Sequence, residues 1–235
     1  MKLKGIIKKT IKYGRFQLFK LKYREILVLG DSHAEVFESY RLSHDFKRSF
    51  NVVRVHGATI SGLDNPNSKT KAGPIFEQAS NKSSAKQVIV MLGEVDTGFV
   101  IWYRAEKYGK NVEEMFQVTV ENYKQLLVSL KMKFDEVICM STPLPTISDG
   151  APIGEIANLR KSIKATQLQR TKLTIKLNSD IERFSLKNNI TYINLDSQSV
   201  NSQGVVKSEL MNKDVRDHHY DIDAYLQIIK NNLKL

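Results

Sequence analysis

The sequence is short of cysteine, and it has no long uninterrupted run of apolar residues. Cys139 is the only cysteine among 235 residues, so a framework of disulfide bonds is excluded. It lies in the apolar run EVICMS, where a small core residue is expected rather than a reactive thiol. No stretch approaches the roughly 20 apolar residues that a membrane-spanning helix needs. The shortage of cysteine is consistent with a reducing compartment.

Acidic residues are missing from residues 1–24, which contain nine lysines and arginines. Subtracting these nine charges from the net charge of +11 leaves +2 for residues 25–235. The segment predicts either a basic amphipathic helix at an anionic membrane surface or a solvated lead-in packed on the domain. We expect a basic extension over 1–24, one domain over 25–235, and a cytoplasmic location, either free or peripheral at the inner membrane face. The nearly balanced charge of the body argues against a nucleic-acid partner.

Five short runs rich in valine and isoleucine predict buried strands. They are residues 25–30, 51–57, 87–93, 136–141 and 190–195. Helical patterns alternate with them, in HAEVFESYRL and in residues 112–133, 165–189 and 221–233. This alternation predicts an α/β fold with a mostly parallel five-stranded sheet and helices on both faces. Residues 63–74 and 143–158 are predicted to be loops, either substrate loops at the carboxyl edge of the sheet or ordinary connections.

Chemically useful side chains follow the ends of these strands. The first strand runs into GDSH (30–33), the second leads to ISG (60–62), and the third continues into GEVD (93–96). The last helix is preceded by DVRDHHY (214–220). Acyl transfer needs a hydroxyl, an imidazole to activate it, a carboxylate to orient the imidazole, and N–H donors for the oxyanion. Ser32 by itself is explained equally well as a helix N-cap, because an acid follows it three residues later.

The order GDSH, SG, GxxD, DHH resembles that of the SGNH (GDSL-type) hydrolases, from residue 25 to the end of the chain. The resemblance implies a flavodoxin-like three-layer α/β/α sandwich. It implies Ser32 as nucleophile and His219 as base, with an oxyanion hole built from Ser32, Gly62 and Gly93. The implied activity is that of a serine esterase or O-acyltransferase that acts on O-acetyl groups of a carbohydrate-type or other polar ester, through an acyl-Ser32 intermediate. No cofactor is implied, apart from an acyl donor such as acetyl-CoA if the enzyme is a transferase.

Two features depart from the family pattern. The third block usually reads Gly-x-Asn-Asp, but here Val95 replaces the asparagine donor, which leaves Asp96 as a possible contributor. The GEVD block resembles that of a subfamily of these hydrolases found in bacterial polysaccharide-biosynthesis clusters. The family aspartate lies three residues before the histidine, where this chain has Arg216. We favour Asp217 with His219 as the pair that completes the triad, and the alternatives are His218 and Asp214.

Further residues near these blocks are candidates for substrate binding. They are Asp31, His33, Glu94, Trp102, Tyr103 and Arg104. The aromatic residues are explained equally well as the core side of an amphipathic helix, and Asp31 as an acceptor of backbone N–H groups in its turn. No HxH or HExxH spacing is present, so no metal site is expected. The alternative function is a non-catalytic SGNH-like module that binds a glycan or a protein partner.

Overall fold

The computed structural model describes residues 23–149, 163–214 and 217–235. Its centre is one parallel sheet with the strand order β2-β1-β3-β4-β5. The strands are β1 (Glu25–Gly30), β2 (Ser49–Arg54), β3 (Gln87–Met91), β4 (Glu136–Met140) and β5 (Thr191–Ile193). In the register of the sheet, Val28 of β1 lies opposite Val52 on one side and Ile89 on the other.

Helices cover both faces of this sheet. The α-helices are α1 (Tyr40–Phe46), α2 (Ala72–Lys82), α3 (Ile101–Tyr108), α4 (Val112–Lys131), α5 (Gln167–Lys187), α6 (Asp196–Ser199) and α7 (Ile222–Asn232). Short 3-10 helices occupy Ser32–Glu38, Ile60–Gly62 and Ser208–Leu210, and a π-helix occupies Asp96–Val100. None of the helices described is both long and apolar enough to cross a membrane.

Alternate residues of β1 enter two separate cores. Leu27 and Leu29 pack with side chains of α2, α4 and α5, whereas Ile26 and Val28 pack with the first 3-10 helix, α1 and α7. Because successive side chains of a strand point to opposite faces, burial on both faces requires an unbroken apolar run, which ILVLG provides. The α/β fold with a five-stranded sheet between helical layers is therefore confirmed, and every strand pair in it is parallel.

Some predicted boundaries were wrong. The second strand begins two residues earlier than expected and ends at Arg54, because Ser49 pairs with Glu25 and Phe50 is buried. The loop predicted over 63–74 ends early, since α2 begins at Ala72. Its proline, Pro74, is tolerated because the first-turn N–H groups of a helix have no intrahelical acceptor. Of the predicted basic extension, residues 1–22 lie outside the described residues, as do 150–158 of the loop predicted over 143–158.

The turn after β1 brings the backbone very close to β3. A Cβ atom on Gly30 would lie 2.6 Å from the Cβ of Ala34 and 2.7 Å from the carbonyl oxygen of Met91. The N–H of Asp31 donates to that same carbonyl at 3.3 Å. The absence of a side chain at Gly30 therefore allows the chain to turn directly at the carboxyl edge of the sheet, where the GDSH residues follow.

We expect Gly30→Ala to destabilise the protein by about 1–3 kcal/mol, because the added methyl group collides with the backbone of β3. Gly109→Ala is the control, since Gly109 has a φ of +60° and none of the described residues would lie within 4 Å of a Cβ atom there. Gly109→Ala should lower the free energy of unfolding by only about 1 kcal/mol, because its left-handed backbone is strained with a side chain. Urea unfolding of both variants measures the difference. Wild-type stability of Gly30→Ala would contradict the close packing of this turn.

Candidate active site

Ser32 is the first residue of the 3-10 helix that follows β1, and it is 5% exposed. The helix is capped by Asp31 and not by Ser32, since the Asp31 carboxylate accepts the N–H of His33 at 2.9 Å. Glu35 does not complete a capping box either, because its carboxylate pairs with Arg54 at 3.0 Å. Among the described residues, the backbone N–H of Ser32 has no hydrogen-bond partner. Both the hydroxyl and the N–H of Ser32 are thus left available for chemistry.

The structure brings Asp217 to His219. Its Oδ1 lies 2.5 Å from His219 Nδ1 and accepts the backbone N–H of His219 at 3.0 Å. Burial acts to raise the pKa of Asp217, but these bonds from His219 outweigh it and hold the pKa below its ordinary value. The carboxylate therefore stays ionised at neutral pH, as a group that orients an imidazole must.

Asn212 fixes the other side of this carboxylate, and sequence reasoning missed it. Its side-chain amide donates to Asp217 Oδ2 at 3.0 Å. The Asp214 N–H donates to Asn212 Oδ1, and the Asp214 carbonyl accepts the N–H of Asp217. Asp214 thus contributes its backbone to the turn that holds Asp217. The position of Arg216 lies outside the described residues.

Ser32 and His219 line the same cleft, together with His33, Asn212 and Asp217. Among the described residues, the buried Nε2 of His219 has no hydrogen-bond partner. The His219 side chain is 24% exposed, so the ring is also reachable from solvent. A serine, an imidazole and a carboxylate from opposite ends of the chain therefore line one cleft.

His33 and His218 surround this group. The His33 ring centroid lies 4.8 Å from that of His219, and His218 lies 4.2 Å from His219. His33 Nδ1 is 3.2 Å from Asp31 Oδ1, so Asp31 and His33 repeat the Asp-x-His arrangement of the other pair. The His218 carbonyl accepts the hydroxyl of Thr146 at 2.5 Å, which ties the histidine segment to the chain after β4.

Asp96 holds the second block in place. Its carboxylate is fully buried and accepts the N–H of Ile60 at 2.7 Å, the N–H of Ser61 at 3.1 Å and the hydroxyl of Ser61 at 2.7 Å. Burial raises the pKa of Asp96 to about 6, although these bonds oppose the rise. An ionised carboxylate can accept but not donate, so at neutral pH Asp96 shapes the loop before Gly62 and is not itself a hydrogen-bond donor.

The glycines predicted for the oxyanion hole pack tightly. The N–H of Gly62 donates to the Thr59 carbonyl at 3.1 Å, and a Cβ there would lie 2.6 Å from Thr59 Oγ1. Gly93 has a φ of +122°, and a Cβ there would lie 2.7 Å from Thr142 Oγ1. Between Gly93 and Asp96, the Glu94 side chain is buried and Val95 is partly exposed. Val95, the partly exposed residue of this block, is therefore apolar and offers no side-chain hydrogen-bond donor to an oxyanion.

The aromatic segment after the third block divides into two roles. Trp102 is partly buried against the core, and its indole N–H donates to the Thr97 carbonyl at 2.7 Å. Tyr103 is 39% exposed and stacks on Phe99 with ring centroids 5.4 Å apart. Lys107 Nζ lies 5.5 Å from the centre of the Tyr103 ring. Tyr103 is thus the exposed member of an aromatic pair near a cation, with Arg104 on the same helix.

No protein-family model and no curated protein matches the sequence. Solved structures do match, among them a GDSL-like lipase from Bacteroides thetaiotaomicron, at 18% identity and a TM-score of 0.57 over 88% of this chain and 84% of that one. An extracellular lipase from Streptomyces rimosus matches at 10% identity and a TM-score of 0.54, over 89% of this chain and 100% of that one. The fold is that of the SGNH hydrolases. An acetyl xylan esterase also shares it, at 12% identity and a TM-score of 0.52 over 88% of this chain and 97% of that one.

Within the SGNH fold, we expect Asp96→Asn to lower turnover. An amide offers one acceptor oxygen to three donors and turns an N–H toward them. The resulting displacement of the loop before Gly62 should lower turnover of an aryl acetate by roughly 10- to 100-fold. Steady-state kinetics measure the effect.

Asp196→Asn is the matched control for this prediction. Burial raises the pKa of Asp196 to about 6 as well, but its carboxylate accepts the Asn178 side-chain amide through one oxygen, at 2.7 Å. Asparagine can keep that bond, so Asp196→Asn should retain turnover. Equal turnover in the two variants would contradict a specific role of Asp96 in shaping the site.

Proposed function

We propose that the chain is a divergent SGNH superfamily member that transfers acyl groups, either as a serine ester hydrolase or as an O-acyltransferase. The single observation that carries the proposal is the cleft shared by Ser32 and by His219 with its bound carboxylate, Asp217. Nothing in a helix cap or a turn requires these three groups to meet. They are the parts that nucleophilic acyl transfer requires.

In the proposed reaction, His219 Nε2 accepts the proton of the Ser32 hydroxyl as the oxygen attacks the ester carbonyl carbon. Asp217 stabilises the imidazolium, and the imidazolium then protonates the leaving alcohol. A water molecule or an acceptor hydroxyl next gives its proton to His219 and attacks the acyl-Ser32 ester, which releases the acyl group and restores Ser32. Hydrolysis and transfer share every step except the identity of this last nucleophile.

The oxyanion of each tetrahedral intermediate needs N–H donors. The unpartnered N–H of Ser32 is the best supported donor, and Gly62 and Gly93 are proposed to supply others. Use of the Gly62 N–H requires it to be shared with, or released from, the Thr59 carbonyl. Since Val95 adds no donor, we expect slower acyl transfer than in an enzyme with an asparagine there.

The proposed substrate is an ester of a carbohydrate, most simply an O-acetyl ester. The exposed Tyr103, stacked on the partly buried Phe99, supports this, because aromatic faces pack well against sugar rings. Arg104 and Lys107 nearby would favour sugars that bear acidic groups. If the enzyme is a transferase, an acyl donor such as acetyl-CoA is required, and the GEVD block would agree with a role in polysaccharide biosynthesis.

A non-catalytic glycan- or partner-binding module is the second candidate function. Two observations favour it, the apolar Val95 in the third block and the internal hydrogen bond of the Gly62 N–H. On this alternative, the cleft would bind an acylated sugar without cleaving it. The experiment with Ser32 below separates the two functions.

We expect Ser32→Ala to lower the hydrolysis of an aryl acetate by about 10³-fold or more, because the nucleophile is removed. Ser39→Ala is the control, since Ser39 precedes α1 without a side-chain capping bond. That variant should keep wild-type kinetics. Comparable rates for Ser32→Ala, Ser39→Ala and the wild type would refute the proposed mechanism and favour the binding module.

We expect Val95→Asn to raise the turnover of the same ester by about tenfold or more, because an amide donor would then reach the developing oxyanion. Val95→Ala tests for an effect of lost volume alone and should not raise turnover. Stopped-flow or steady-state kinetics on the purified variants provide the comparison. A gain with alanine equal to that with asparagine would show that the missing donor is not what limits the reaction.

A further inference from the structure

The imidazoles of His33 and His219 line the cleft with Ser32, and the His218 ring packs against both, although acyl transfer uses only one imidazole. The ring centroid of His33 lies 5.7 Å from that of His218 and 4.8 Å from that of His219, while His218 and His219 are 4.2 Å apart. Asp217 adds a carboxylate to the same place. This concentration of nitrogen and oxygen donors exceeds what a triad requires, and it suits a metal ion.

Asp217, His218 and His219 form the part of this group that an ion could reach, and we refer to them as the histidine cluster. One ligand atom from each of the three lies within 4.8 Å of the others. A zinc ion binds nitrogen and oxygen ligands at about 2.0–2.2 Å, which places tetrahedral ligands roughly 3.4 Å apart. All three side chains are at least partly exposed, so small rotations can close the remaining distance.

The backbone of the histidine cluster is already fixed. Thr146 donates to the His218 carbonyl, and the N–H of His219 is held by Asp217. Asn212 restrains the second oxygen of the same carboxylate. An ion would therefore meet ligands whose backbone positions are set before it binds, which reduces the entropic cost of binding.

We propose that the histidine cluster binds a divalent transition metal such as Zn²⁺ and that the bound ion inhibits acyl transfer. Imidazole ligands suit Zn²⁺, Cu²⁺ and Ni²⁺, whereas Mg²⁺ and Ca²⁺ prefer sites made of oxygen atoms. The His219 imidazole cannot accept the proton of Ser32 while its lone pair is bound to a metal. The inhibition rests on the proposed function, but the metal binding does not.

The sequence offers no common zinc spacing here, which is why no metal was expected. The two histidines are adjacent and the aspartate precedes them directly, so neighbouring side chains would ordinarily diverge. The chain at 217–219 instead folds back, with Asp217 bonded to the N–H of the residue two positions later. This local turn is what brings the ligand atoms together.

Zinc titration of the full-length, chelator-treated protein in a calorimeter tests the proposal. We expect one equivalent of Zn²⁺ to bind with micromolar affinity, and Mg²⁺ to produce no comparable heat. Loss of an outer-shell partner alone lowers metal affinity by about 10- to 100-fold, so His218→Gln and His219→Gln should each weaken Zn²⁺ binding by at least about tenfold. Zinc should also raise the Tm of the wild type, since it binds only the folded state.

His44→Gln is the control, because His44 is exposed and lies outside the histidine cluster. Its Nδ1 lies 3.6 Å from Asp45 Oδ1, so it also has a carboxylate neighbour. This variant should bind Zn²⁺ as the wild type does. Absence of zinc binding, or equal affinity in His218→Gln, His219→Gln and His44→Gln, would overturn the proposed site.

Aryl acetate hydrolysis in the same titration tests the inhibition. Its midpoint should match the calorimetric Kd, and a chelator should restore the rate. Full activity of the zinc-loaded wild type would overturn the inhibitory role. Zinc binding by a protein without esterase activity would refute the proposed function and leave the metal site intact. Esterase activity without zinc binding would refute the metal site and leave the proposed function intact.

Discussion

The close approach of β1 to β3 is the constraint on which the site depends. Burial on both faces fixes the register of β1, because a shift by one residue would exchange its two cores. Gly30 then lets the chain turn against the Met91 carbonyl without a side chain in the way. As a result, Ser32 begins a helix at the carboxyl edge of the sheet. Ser32, the proposed nucleophile, is positioned by the packing of the strand before it, and only afterwards by its chemical partners.

The buried carboxylate of Asp96 lowers the stability of the fold when it is ionised, but it holds a loop of the candidate site in place. Because burial raises the pKa of Asp96 to about 6, its contribution to stability is greatest at low pH, where the carboxyl is protonated, and is lost as pH rises through that value. At neutral pH the protein therefore carries a buried charge at a net electrostatic cost. Three donors from Ile60 and Ser61 offset part of this cost, and they fix the loop before Gly62.

Much of the fold could be predicted because apolar runs and their spacing indicate which strands and helix faces are buried. β1 begins and ends at the expected residues, and α4 and α5 each fall within two residues of their predicted ends. The turn chemistry was harder to predict. Asp31 accepts a backbone N–H in its turn, as expected, but it also proved to be the N-cap in place of Ser32, since both residue types cap helices equally well.

The candidate site could be predicted in its members but not in its contacts. The resemblance of the blocks to the SGNH pattern pointed to Ser32 and favoured Asp217 with His219, and the structure places the Asp217 carboxylate against the His219 ring. The support from Asn212 could not be foreseen, since a polar residue in a loop has no periodic signal. The bonds of Asp96 to the second block join residues 35 and 36 positions apart, which only the folded chain brings together.

The central claim is that acyl groups pass through Ser32. Peptide mapping by mass spectrometry of the protein quenched in acid during turnover of an aryl acetate tests it most directly. The account predicts an acetyl group on the peptide that contains Ser32, present during turnover and absent once the ester is consumed. An unmodified Ser32 peptide throughout turnover, or an acetyl group that forms on another residue at the rate of the reaction, would contradict it.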